Sequence, residues 1–361
     1  AKRASGQAVL VVLAVGISFT IVIAAINKQV PVWMQVDEGI RDMAARYFLI
    51  LYAPMLFRTA NIIFGTVLRS VGDTKTPMRV GVVMNIINTV LNFLFIYPTR
   101  VAVIAGISIT LPGAGFGIEG AALASAIAYT YGGIAITVKL WKHADISPKG
   151  QSFKPDKTIL IPCVRVAFPN MCQRFATSLG YVFASMINSL GETSAAAHTI
   201  ANTVESGFYI PGWGMQTAAA TLAGNALGAK DGKKLRDLER AIIPLETGLM
   251  TVCGALLFAF APQLMTLFSR DAEVIRLGST VLRMVAISEP FYGIPIVLEG
   301  MMQGVGKTVA PFIFSVIGMW GVRIIGTFIC TQLLGMGLIA AWACMIAHNV
   351  LLFVLFAVYF A

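Results

Sequence analysis

Charge is scarce in this chain of 361 residues: Asp, Glu, Lys and Arg together make up only 12% of it. Hydrophobic residues make up 57%, and mean hydropathy is +0.79, a balance that excludes a soluble globular protein of this length. Histidine is nearly absent. His143, His198 and His348 stand far apart, and no HExxH or His–carboxylate pair exists, which leaves no support for metalloenzyme chemistry. The five cysteines (Cys163, Cys172, Cys253, Cys330, Cys344) are odd in number, form no CxxC pair and lie in apolar runs, where they read as small buried residues. A phosphate loop is lacking too. GVGKT at 304–308 has Met301 where its first glycine is needed, and GFGIEG at 115–120 follows no strand, so neither ATP hydrolysis nor dinucleotide binding is supported.

Long apolar runs are what the chain has. Ten stretches of about 20 residues each are long enough to span a bilayer. They cover 8–27, 46–68, 78–97, 118–140, 161–189, 195–226, 241–268, 281–303, 309–332 and 336–360. The pattern predicts an all-α polytopic membrane protein. The net charge of +10 would point to nucleic acid in a soluble protein, but its placement gives it another meaning here. Alternating spans put seventeen Lys and Arg, from Lys2 to Lys307, on one side, and five (Lys28, Arg41, Arg46, Arg100, Arg270) on the other. This bias predicts a multi-pass protein of the plasma membrane with both ends in the cytoplasm, in contact with lipid and with no nucleic acid partner. The one long polar stretch, 141–158, reads as a cytoplasmic linker, and 98–117 as an external Gly-rich loop.

The chain also repeats itself. Residues 57–77 and 291–311 match at a constant offset of 234, pairing Phe57 with Phe291, Val71-Gly72 with Val305-Gly306, Thr74 with Thr308 and Pro77 with Pro311. The register reaches back to Asp37 and Asp271, and GAGFGIEGAA (113–122) is echoed by GMGLIAA (335–341). Such long-period similarity marks a transporter of two related halves with a site between them. It predicts two pseudo-symmetric helical lobes, 1–140 and 159–361, joined by 141–158. Residues 159–236 have no counterpart in the first copy, so the repeat predicts two further spans, twelve in an intact protein of about 439 residues (361 + 78).

Polar groups inside spans are costly and tend to be functional. Asn85, Asn88 and Asn92 share one helix face at i, i+3 and i+7, within reach of Ser125 on the next span. They read either as interhelical hydrogen-bonding groups or as a cation or substrate site. Four acids also fall in spans. Glu246 and Glu299 stand near cytoplasmic ends and can reach the interface. Glu205 precedes a break at Pro211, and Glu289 lies mid-span before Pro290 and Pro295, which are expected to break helical hydrogen bonds. Glu289 reads either as a coupling acid or as half of a buried salt bridge with Arg323 or Arg174. Tyr209, Trp213, Phe291 and Tyr292 are aromatic groups able to stack on flat cations, or simply to pack.

LRSVGDTKTP, NIINTVLNFLFI, GIEGAALASA and the run LGETSAAAHTIANTVESGFYIPGWGMQTAAATLAGNALGAKD (190–231) resemble the multidrug and toxic compound extrusion (MATE) family along the whole chain. The resemblance implies two six-helix lobes, of which this chain holds helices three to twelve. It also implies cation-coupled export of organic, often cationic, drugs by alternating access. No cofactor is implied beyond H⁺ or Na⁺ as coupling ion, and the working unit is expected to be a monomer. Asn88 and Asn92 fall where some members place an asparagine and an acid, and Ser125 near a hydroxyl of the same cation site. Gln173 and Thr177 occupy the stretch where many members carry a glutamate, and Glu289 lies about a turn from the usual helix-ten acid, whose register is that of Tyr292. The cation-coupling set is therefore Glu289, Asn88, Asn92, Ser125, Glu205 and Glu299, and the substrate set Asn85, Tyr209, Phe291, Tyr292 and Trp213. A flippase for lipid-linked saccharides would want several basic residues in its cavity, and only Arg58, Arg174 and Arg323 are on offer. A channel or a membrane-embedded enzyme is a third class, and no catalytic constellation supports the enzyme.

Overall fold

The computed structural model describes residues 1–34, 36–104 and 107–360. The chain divides into two compact units, Ala1–Ile161 and Pro162–Ala361.

The first unit holds α1 (Lys2–Ile26), α2 (Gln29–Trp33), α3 (Arg41–Tyr52), α4 (Met55–Ser70), α5 (Lys75–Ile96) and α6 (Gly117–Lys142). Its core joins Val9 and Val12 of α1, Phe64 and Leu68 of α4, and Ile136 and Leu140 of α6. The segment expected to be a loop instead contains an antiparallel hairpin, β1 (Pro98–Ile104) with β2 (Ile107–Ala114), so a strand does precede GFGIEG at 115–120, against the sequence reading. It belongs to a two-stranded hairpin and not to the parallel sheet that a dinucleotide fold requires. Val, Ile and Thr alternate through TRVAVI and ISIT, and β-branched side chains favour the pleated backbone. The stretch 141–158 is no free tether: Gln7 donates to the Lys154 carbonyl (2.9 Å) and accepts from the Asp156 amide (2.9 Å), and Arg3 pairs with Asp156 at 2.5 Å. The Thr158 hydroxyl above all, with Arg3 beside it, holds the Asp156 carboxyl below its ordinary range.

The second unit contains α8 (Tyr181–Asn188), α9 (Glu192–Gly228), α10 (Gly232–Thr266), α11 (Ala272–Gly304), α12 (Val309–Val316), α13 (Ile325–Phe328) and α14 (Leu338–Phe360), together with most of α7 (Lys157–Ser178). Wider π-type turns occupy Ile317–Ile324 and Ile329–Leu333. The helices α9, α10 and α11 form a tightly packed trio, with α14 against α11.

Eight helical segments among the described residues are long and apolar enough to cross a membrane, against the ten stretches expected. The two that fall short are 161–189, which carries Pro162, Arg165, Pro169 and Arg174 and divides between α7 and α8, and 195–226, whose helix α9 is rich in Thr, Ser, Asn and Gln. The prolines expected to interrupt helices do not. α9 runs through Pro211, and α11 through Pro290 and Pro295. Each proline removes one donor and leaves the carbonyl four residues back unpaired, which neighbouring helices can accommodate. The carbonyl freed by Pro290 is that of Ala286, and it faces Gly254 of α10 so closely that a Cβ there would stand 2.5 Å from the oxygen.

The repeat has a local structural counterpart within each unit. Val71 and Val305 end their helices, Gly72 (φ +89°) and Gly306 (φ +78°) take left-handed conformations, and Thr74 and Thr308 precede the next helices. Asp37 and Asp271 each cap a helical turn by accepting backbone N–H groups.

Candidate functional site

The second unit encloses a cavity of about 240 Å³. α9 contributes Asn202, Glu205, Tyr209, Trp213 and Gln216 to its wall. These positions are spaced three or four apart, so one face of a 3.6-residue helix carries them all. α11 contributes Tyr292, Pro295, Ile296 and Glu299 on the same principle. Gln173, Arg174 and Thr177 of α7, Ser315 of α12, Met319 and Arg323 of the π-turn segment, and Met345, His348, Asn349 and Leu352 of α14 complete it.

Two polar clusters organise this space. In one, Glu205 is 2% exposed and accepts the Tyr209 hydroxyl at 2.5 Å. The Tyr209 ring lies against Tyr292 (centroids 5.2 Å apart) and Trp213 (6.5 Å). In the other, Glu299 accepts from Gln173 (3.1 Å) and Gln303 (2.8 Å), and Gln173 also donates to Ser315 (2.8 Å). The guanidinium of Arg323 rests over the Phe183 ring at 4.3 Å.

Glu289 lies outside the cavity wall. It is 1% exposed, and neither carboxylate oxygen has a hydrogen-bond partner. Gly254 of α10 packs against its Cβ, and Glu205, Tyr209 and Cys253 are among its ionisable neighbours. The salt bridge with Arg323 or Arg174 that was an alternative for Glu289 is not formed among the described residues. Glu246, expected to reach the interface, is fully buried on α10 beside Gly212 of α9 and Gly293 of α11, and its oxygens are equally unpartnered.

Thus Glu205, Glu299, Tyr209, Trp213 and Tyr292 come together in one cavity, with Glu289 behind it. Phe291 does not join them: it is 45% exposed and packs edge-on against Phe353 (5.6 Å), since successive residues stand about 100° apart round a helix and only Tyr292 faces the cavity. In the first unit Asn92 donates to Asn88 (3.0 Å) and Asn88 to Ser125 (3.0 Å), as the helical spacing predicted, and Asn85 is exposed outside this chain. Sequence reasoning missed Asn202, Gln216, Ser315 and Asn349. For Asn349, beside His348 in an otherwise apolar helix, the signal was present and not used.

The sequence profile of the MatE family matches residues 1–94 and 169–329. The chain belongs to the MATE family. Similar proteins include a probable multidrug resistance protein NorM of Thermotoga maritima, 24% identical over 345 residues that cover 94% of this chain and 71% of that one. Another is the probable multidrug resistance protein YoeA of Bacillus subtilis, 24% identical over 314 residues, 86% of this chain and 65% of its own. The chain thus spans about two thirds of the length of such relatives. A MATE transporter crystallised in complex with MaD3S shares the fold over 99% of this chain and 77% of its own, at TM-score 0.89 and 21% identity. So does a MOP-superfamily transporter from Pyrococcus furiosus, at TM-score 0.88 and 22% identity over the same shares. As a MATE-family chain this is a secondary transporter and not an enzyme, so its cavity has to bind and release rather than react.

Proposed function

We propose that this chain exports organic, mainly cationic, compounds in exchange for a coupling cation, and that Glu289 is the coupling acid of the second unit. The observation that carries the reading is a carboxyl at 1% exposure with both oxygens unpartnered, next to a cavity whose wall holds Glu205 and Tyr209. A carboxylate sealed in an apolar helix contact is strongly disfavoured unless something neutralises it, so occupancy by a cation and burial are tied together. The surroundings of Glu289 favour H⁺ over Na⁺. A hard metal cation asks for a shell of several oxygens, whereas among the described residues no polar group lies within hydrogen-bond distance of either Glu289 oxygen. Protonated, Glu289 is at ease in its contact; deprotonated, it presents charge behind the Tyr209–Glu205 pair, where a cationic substrate can offset it. The aromatic walls of Tyr209, Trp213 and Tyr292 suit flat cations.

The multidrug-resistance names of the relatives support the substrate class and weigh against the saccharide-flippase alternative. The Asn92–Asn88–Ser125 chain has no titratable member, which favours a supporting rather than a coupling role. The same reading includes ten spans with both ends cytoplasmic in the plasma membrane, a monomer, and lobes 1–140 and 159–361 related by pseudo-symmetry.

The test is dye efflux in everted vesicles under an imposed pH or Na⁺ gradient, normalised to folded protein. Glu289→Gln, which keeps shape while losing the titrating proton, should fold and lose gradient-driven movement. Wild-type coupling in that variant would end the assignment.

A further inference from the structure

We propose that Cys330, Cys344 and Met336 form a binding site for a soft monovalent cation of the Cu(I) type. The site lies in a groove of the second unit that shares no wall residue with the cavity described above. It does not depend on the efflux reading.

The five cysteines read as small buried residues in the sequence, but only Cys253 is buried in the structure. Cys330 stands on the π-type turns at Ile329–Leu333 and Cys344 on α14, and the Cys344 thiol points at the Cys330 sulfur, 3.9 Å away. Such wide turns cluster at functional sites. Met336 is tied to the same place, its backbone N–H donating to the Cys330 carbonyl at 2.8 Å. All three sulfur-bearing residues line one groove of about 540 Å³. Ala340, Ala343 and Ala347 share one face of α14 with Cys344, and side chains this small leave its sulfur uncovered. Gly326 of α13 packs against that sulfur, where a Cβ would stand at 3.2 Å, and so helps to fix the thiol in place.

The separation of the two sulfurs says what they can hold. Two sulfur–metal bonds of about 2.3 Å each, spanning 3.9 Å, meet at an angle of about 115°. A pair bent this far leaves one side of the ion open to a third donor. No cluster of three or more His, Cys, Asp or Glu occurs among the described residues, so none of those side chains completes the set. The Met336 thioether, in the same groove, can. Thiol and thioether sulfurs together select a soft ion such as Cu(I), whereas Mg²⁺ and Ca²⁺ ask for oxygens. Binding breaks one S–H bond, whose electron pair becomes a sulfur–metal bond while the proton leaves to water. The second thiol and the thioether donate lone pairs, and the ion keeps its oxidation state. The product carries no net charge, as a groove lined by alanine and isoleucine demands.

The test titrates Cu(I) onto the purified full chain in detergent, without oxygen, against bathocuproine disulfonate as competing chelator. The wild type should retain one equivalent that the Cys330→Ser/Cys344→Ser double variant loses. Cys330→Ser and Cys344→Ser singly should each lower the affinity about a hundredfold or more, at least what loss of a supporting residue costs a metal site. Met336→Leu should lower it less. Saturating Cu(I) should also shield Cys330 and Cys344 of the wild type from N-ethylmaleimide, read by peptide mass spectrometry, while the exposed Cys163 still reacts. Wild-type retention by the double variant overturns the proposal. So does alkylation of Cys330 and Cys344 at the metal-free rate under saturating Cu(I), a result that needs no variant to fold. A pair that only closes to a disulfide, with no copper held in its reduced form, overturns it as well. Zn(II) displacing Cu(I) at equal concentration would overturn the class of ion.

Discussion

Tyr209 serves two masters: its hydroxyl satisfies the buried Glu205, and its ring forms cavity wall between Tyr292 and Trp213. Tyr209→Phe separates the two roles. The ring stays, but Glu205 is left buried without its donor, a loss of about 1–3 kcal/mol. Thermal unfolding in detergent should show a lowered Tm, and an unchanged Tm would mean that water or a neighbour replaces the hydroxyl at no cost. Trp213 and Phe291 make a second contrast. Trp213→Ala opens the cavity wall and should raise KM for a planar cationic dye severalfold, while Phe291→Ala removes a contact with Phe353 and should leave that KM alone. Equal effects on KM would place Phe291 back among the substrate contacts. The acids and the Asn88–Asn92–Ser125 chain were legible in the sequence because a polar group in an apolar run stands out and helical spacing fixes its face. Ser315 and Gln216 were not legible, since a small hydroxyl or an amide acquires meaning only from what converges on it. Phe291 misled because an aromatic residue in an apolar helix carries no mark of the side it occupies.

Between helices, the backbones of α9 and α11 approach one another closely. A Cβ on Gly304 would stand 2.1 Å from the Ala220 carbonyl oxygen, and one on Gly300 2.4 Å from that of Gln216. Gly300 and Gly304 are one turn apart and form the small-xxx-small seam by which membrane helices bring their backbones together. Glu205 on α9 and Glu289 and Glu299 on α11 are thereby held at a set spacing. Gly304→Ala forces backbone against side chain where neither can yield easily, and should destabilise the second unit by about 1–3 kcal/mol. A wild-type Tm for Gly304→Ala would show that the seam is looser than drawn. The glycines were visible in the sequence, but their partners were not, because contact across helices has no linear signature. The same blindness hid the hairpin, whose strands are short and sit between two spans, and the unbroken course of α11 through Pro290 and Pro295, which depends on neighbours such as Gly254 receiving the freed carbonyl.

For the molecule as a whole, the helical membrane class and the repeat were legible because hydropathy and a constant offset need no three-dimensional knowledge. The matched ends at Gly72 and Gly306, both left-handed, give that repeat a backbone meaning that few side-chain identities could supply. Charge placement predicts a topology that direct labelling can test. In a cysteine-free background, Lys149→Cys should react with a membrane-impermeant maleimide only from the cytoplasmic face, and Thr99→Cys in the hairpin only from outside. Labelling of both from one face would refute the assignment of the linker and the hairpin to opposite sides.

The glycine seam also bears on how such a chain changes under selection. Positions 300, 304 and 254 have no room for even a methyl group, whereas Trp213, Met319 and Leu352 are side chains on a cavity wall, free to be exchanged for others of different shape. A population challenged with a new toxic compound should therefore collect its adaptive substitutions on the wall and almost none in the seam. The range of compounds handled can then drift from strain to strain while the frame that spaces the acids stays the same.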